Sequence, residues 1–176
     1  MKVSSGEVKV ALMIILFSFF SLSVVSQSID LTRSKLEPHL VYSSVEKLGK
    51  KIVVKVVKDS TVKKADEPTF VKLSDLKFKD GTIVVSVLSR LLPNASPTAR
   101  GFIGVAFHIN DDYSRFESIY IRPTNGRSED QIRRNHSIQY FSFPDYKFSR
   151  LRKEAPEQYE SYADMGLNEW IDLKND

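Results

Sequence analysis

The stretch Gly101-Phe-Ile-Gly-Val-Ala-Phe-His-Ile109, followed after Asn110-Asp-Asp112 by Arg115-Phe-Glu-Ser-Ile-Tyr-Ile-Arg122, alternates with a period of two. Successive side chains on a strand point to opposite faces, so each arm of this pattern sorts into two sets. Ile103, Val105, Phe107 and Ile109 form a large apolar set expected to face the core. Phe102, Gly104, Ala106 and His108 take the other face. The polar turn joins the arms as a hairpin. On the return strand Ile119 and Ile121 suit the core, which predicts Tyr120 and Arg122 on the same outer surface as His108.

Working outward, the same period recurs. Ile52–Val57 is dense in β-branched residues, Thr69–Leu73 is a shorter run, and Asp80-Gly81 is a turn signal opening Thr82–Arg90. Pro93 and Pro97 punctuate a polar loop. Short strands with turn punctuation predict an all-β fold, an antiparallel β-sandwich or barrel. The one candidate helix lies around Pro156–Met165.

The amino end reads as an address. Lys2 and Lys9 precede an almost wholly apolar run, Val10–Val25, broken by Ser18, Ser21 and Ser23, with Val24 and Ser26 small enough to precede a cut. This is the pattern of a signal peptide over residues 1–26, and the run is shorter than the ~20 apolar residues of a membrane anchor. The expected mature chain, 27–176, is one domain with 24 basic and 21 acidic residues. That balance implies solubility and no nucleic-acid partner, and with no other stretch long and apolar enough to span a bilayer, no stable membrane span is expected after signal removal. With no cysteine, disulfides, thiolate metal sites and cysteine nucleophiles are excluded. An exported domain without disulfides fits a bacterial envelope, periplasmic or extracellular.

The polar segment Arg122–His136 carries the most chemistry. From Arg115 to Lys153 there are nine basic and four acidic residues, and from Glu154 to Asp176 seven acidic and one basic. Tyr140, Phe141, Phe143, Tyr146 and Phe148 interleave with the basic part. Two readings stay open: the arginines pair with the acidic tail, or guanidiniums and amides bind sugar hydroxyls while tyrosine rings cover a sugar face. For cleavage, a glycosidase needs two carboxylates about 5–10 Å apart. Glu117 and Asp130 are the weak catalytic candidates, with no paired-carboxylate signature around them. Asp111 and Asp112 read as turn formers or calcium ligands. His39, His108 and His136 lack metal-ligand spacing, so no metal is expected.

The runs Phe78–Val87, Arg100–Phe107 and Tyr120–Arg127 resemble exported bacterial proteins of the concanavalin A-like lectin/glucanase superfamily, most of all those of Bacteroidetes. Val24-Val25-Ser26-Gln27 is similar to their signal exit, and the likeness covers most of Leu40–Leu173. The resemblance implies a jelly-roll sandwich whose concave sheet holds carbohydrate. The Glu-x-Asp-x-x-Glu signature of laminarinase-type hydrolases is absent, and the chain looks short after Trp170. The expected function is carbohydrate binding, with a glycoside hydrolase or a structural envelope protein as alternatives. The expected contacts are His108, Tyr120, Arg122, Asn125, Arg127, Asp130, Arg133, Arg134, His136, Gln139 and Tyr140.

Overall fold

The structure is a computed structural model that describes residues 27–64 and 66–176; the candidate signal segment, 1–26, lies outside the described residues. It is mostly strands, every pairing is antiparallel, and the helices are short. Two small ribbons come first. Strand β1 (Leu36–His39) pairs with β4 (Phe70–Leu73), and β2 (Val41–Leu48) with β3 (Lys51–Lys58) through a turn at Gly49, whose φ of 63° suits glycine. Strand β5 (Ile83–Leu88) pairs with β10 (Trp170–Asn175). The largest sheet runs β6 (Ile103–Phe107), β7 (Phe116–Ile121), β8 (Ile138–Phe143), β9 (Glu160–Ser161).

The β6–β7 hairpin forms as its alternation predicts, with Ile103 opposite Ile121, Val105 opposite Ile119 and Gly104 opposite Tyr120. A Cβ on Gly104 would come within 2.2 Å of the Ile119 carbonyl and 2.5 Å of Tyr120 Cα, so only glycine lets the strands approach there. The runs Ile52–Val57, Thr69–Leu73 and Thr82–Arg90 become β3, β4 and β5.

Both faces of the four-stranded sheet are covered. One carries an aliphatic cluster, in which Ile121 packs with Val87, Met165, Val85, Ile103, Ile138, Ile171 and Leu173, so the β5–β10 ribbon lies on it. The opposite face is aromatic, with Phe116, Tyr120 and Phe141 packed against Leu151, Phe70 and Phe143. The sequence leads one to expect a single core face with Tyr120 and Arg122 outside; instead both are buried. The correction follows from the cover on the second face, supplied by Phe70 and by helix α3 (Phe148–Glu154), neither of which alternation within the hairpin can reveal.

The helices differ from expectation as well. Pro156–Met165 is not helical; the helix is α3, just before it. Proline disfavours helical backbone at the preceding residue, and Glu160 and Ser161 are taken up by the edge of β8. The polar segment folds into two short helices, α1 (Pro123–Gly126), with proline at its first turn, and α2 (Gln131–Asn135). Among the described residues no helix is long and apolar enough to cross a membrane.

Candidate functional site

Two polar constellations sit on opposite faces of the four-stranded sheet. The first is buried and centred on Arg122, just past the end of β7. Its Nη2 donates to the Tyr120 hydroxyl at 2.7 Å and to Gln139 Oε1 at 3.2 Å, and its Nη1 donates to the His136 carbonyl at 2.9 Å. The guanidinium also lies 4.8 Å from the Tyr120 ring, 5.7 Å from Phe148 and 5.8 Å from Phe102, a cation among aromatic faces. Glu160, on β9, supplies the counter-charge: Arg122 Nη1 is 3.4 Å away, and Arg152 Nε donates to its second oxygen at 2.7 Å. His136 Nδ1 stands 2.8 Å from the same carboxylate without hydrogen-bond alignment.

Burial governs the electrostatics here. It lowers the Arg122 pKa and raises that of Tyr120, while burial, helped by nearby Arg152, holds His136 below the usual histidine value. Burial also pushes the Asp66 carboxyl up, and its Oδ2 has no hydrogen-bond partner among the described residues. Tyr120, Arg122 and Gln139 at the centre of this network are buried. It ties α3 and the edge strand β9 to the end of β7.

The second constellation is half-exposed. Glu117 stands on the Phe107–Ile119 side of β7, opposite Phe107 and Ser142. The Tyr140 hydroxyl donates to its Oε2 at 2.7 Å, and His108 Nδ1 pairs with its Oε1 at 2.9 Å. His108 reaches it because its φ of 51° breaks the strand alternation. This turns the ring to the face opposite Tyr120, a correction to the shared surface expected from sequence. The other ring nitrogen, Nε2, lies 3.2 Å from the Lys79 carbonyl. Hydrogen bonds from Tyr140 and then His108 hold the Glu117 carboxyl below the ordinary range, and the bond to Glu117 raises His108. The Tyr159 ring lies 5.6 Å from that of Tyr140, and Phe78 stacks over His108 at 6.4 Å.

The remaining expected contacts are engaged within the chain. Arg133 Nε donates to Asn125 Oδ1 at 2.9 Å, and the buried Asn125 amide donates to the His136 carbonyl. Asp130 caps α2, accepting from the Ile132 and Arg133 amides. Arg134 donates to the Ser128 and Glu129 carbonyls and to Gln131. Arg127 bridges Asp164 at 2.7 Å and Glu169 at 3.1 Å. Gln139 also donates to the Tyr140 and Tyr159 carbonyls. Asp112 accepts from the Ser114 amide and hydroxyl as a turn former, and among the described residues no three His, Asp or Glu side chains converge as a metal site.

The structure thus brings together Tyr120, Arg122, Gln139 and His136 in one group, and His108 with Tyr140 and Glu117 in another. Sequence reasoning missed Glu160, Arg152 and Tyr159. The reversal of charge after Lys153 was the available signal for Glu160, but not for its particular partners. No protein-family model, no curated protein and no solved structure matches the chain. What fold and site define is therefore a class alone: a strand-rich antiparallel protein with a buried arginine–carboxylate lock and a half-exposed carboxylate–imidazole–phenol group.

Proposed function

We propose that the chain is an exported β-sandwich of jelly-roll type, similar to the concanavalin A-like superfamily, that binds carbohydrate without cleaving it. The observation that carries this reading is the half-exposed Glu117, bonded by Tyr140 and His108, with the Tyr159 ring beside that of Tyr140. An ionised carboxylate whose oxygens each keep a further lone pair accepts from sugar hydroxyls, and a neighbouring aromatic ring covers an apolar sugar face. The same features speak against hydrolysis. A general acid needs a raised pKa, whereas Glu117 is held low, and the Asp130 carboxylate is used in capping α2.

The test is a thermal-shift and glycan-array screen of the purified chain. A neutral or acidic glycan should raise the melting temperature, and Glu117→Gln should weaken its binding by about tenfold or more, the worth of a hydrogen bond to a charged group. Arg134→Ala should leave affinity unchanged, since that side chain serves neighbouring carbonyls. Turnover of a glycan, lost in Glu117→Gln, would replace binding by hydrolysis.

The structural envelope role is favoured by a separate observation, the pairing of Arg127, Arg122 and Arg152 with Asp164, Glu169 and Glu160. Silence of every glycan in the screen selects that role.

A further inference from the structure

Among the described residues the β2–β3 ribbon is hydrogen-bonded to no other strand. Its register places Val45 opposite Val54, Ser43 opposite Val56 and Lys47 opposite Ile52, so these six side chains share one face. On that face Val45, Ile52 and Val56 are 44%, 47% and 46% exposed, which makes a continuous apolar stripe rather than scattered surface residues. Lys47 stands at one end of the stripe, and Lys58, opposite Val41, at the other. Over 41–58 there are five lysines and one glutamate, and Glu46 belongs to the opposite face, where it pairs with Lys55.

We propose that this ribbon docks on an anionic lipid surface, with Val45, Ile52 and Val56 at the headgroup boundary and Lys47 and Lys58 on phosphates. Charge complementarity selects this occupant. Apolar side chains ringed by cations match a layer that is anionic outside and apolar beneath, and each lysine near such a surface adds attraction. A second copy of the chain fits poorly: stacking two such faces opposes like charges, and Lys51, Lys55 and Lys58 on β3 guard its open edge against strand pairing. The contact is peripheral and separate from the Glu117 group, so it stands or falls independently of glycan binding.

Cosedimentation with vesicles tests it. The purified chain should pellet with mixed phosphatidylglycerol–phosphatidylcholine vesicles and not with phosphatidylcholine alone, and raising salt from about 0.05 to 0.5 M should release it as the Debye length shortens. Lys47→Glu with Lys58→Glu, and separately Val45→Ser with Ile52→Ser, should each lower the bound fraction at least fivefold. Both sets lie on exposed positions, and unchanged circular dichroism and melting temperature would show the fold intact. Equal pelleting with both vesicle types, variants that bind like the parent, or a dimer in solution that Val45→Glu dissociates would each overturn the proposal.

Discussion

Arg122 Nη1 lies 3.4 Å from Glu160 Oε1, and the two side chains are only 5% and 4% exposed. Nearly forty residues separate them in the chain, so the pair joins the end of β7 to β9 through the interior of the sheet. A buried ion pair need not add net stability, but breaking one leaves an uncompensated charge. Arg122→Met should therefore lower stability by about 3–5 kcal/mol, read by denaturant unfolding. Arg122→Lys should recover only part of it, because an ammonium cannot span the Tyr120 hydroxyl, Gln139 and the His136 carbonyl together. A variant as stable as the parent would show that Arg152 alone satisfies Glu160.

The Glu117–His108 pair predicts a pH dependence. Glu117 has a folded pKa below the ordinary glutamate value of 4.5, so its contribution is present above that value and lost as pH falls through the folded pKa. His108 has a folded pKa above 6.5, so its contribution is present below 6.5 and lost as pH rises through the folded pKa. The stability difference between the parent and His108→Gln should be widest between about pH 4.5 and 6.5 and shrink on either side. Melting curves across that range check it; a difference that keeps growing towards pH 9 would contradict it.

Gly104→Ala should be severely destabilising, because the added methyl meets Ile119 and Tyr120 backbone atoms at 2.2–2.5 Å. Overpacking of this kind costs about 1–3 kcal/mol or more. Gly49→Asn, at a turn with nothing within 4 Å of a new Cβ and a φ that asparagine tolerates, should be close to neutral. Chemical denaturation of the two variants side by side gives the comparison.

Asp130→Ala should cost about 1 kcal/mol, the ordinary loss of a helix cap, and leave glycan affinity where it was. A loss of affinity without loss of stability would return Asp130 to the binding surface.

How much could be read beforehand depended on where each contact came from. The strands β3, β5, β6 and β7 were legible because period two and turn residues are local properties. Strand β2, Val41-Tyr-Ser-Ser-Val-Glu-Lys-Leu48, has no clean alternation and takes its form from pairing with β3. The burial of Tyr120 and Arg122 depends on Phe70, Phe148 and Leu151, tens of residues away, and no pattern around position 120 encodes that cover. The side taken by His108 turns on a single positive φ, which alternation assumes away. The arginines of the polar segment announce hydrogen bonding by residue type alone, but whether a guanidinium meets a ligand or a neighbouring carbonyl depends on tertiary placement.

The pairing of β5 with β10 spans from 82 residues, Leu88 to Trp170, to 92, Ile83 to Asn175. Contacts this distant along a chain form late, because a long loop must close before they return any free energy. Until β10 has been synthesised, Ile103, Ile121 and Ile138 lack the cover of Ile171 and Leu173. The aliphatic core therefore stays open until the residues between β5 and β10 have been made. Apolar strand surface left open in this way is prone to mispairing until β10 docks.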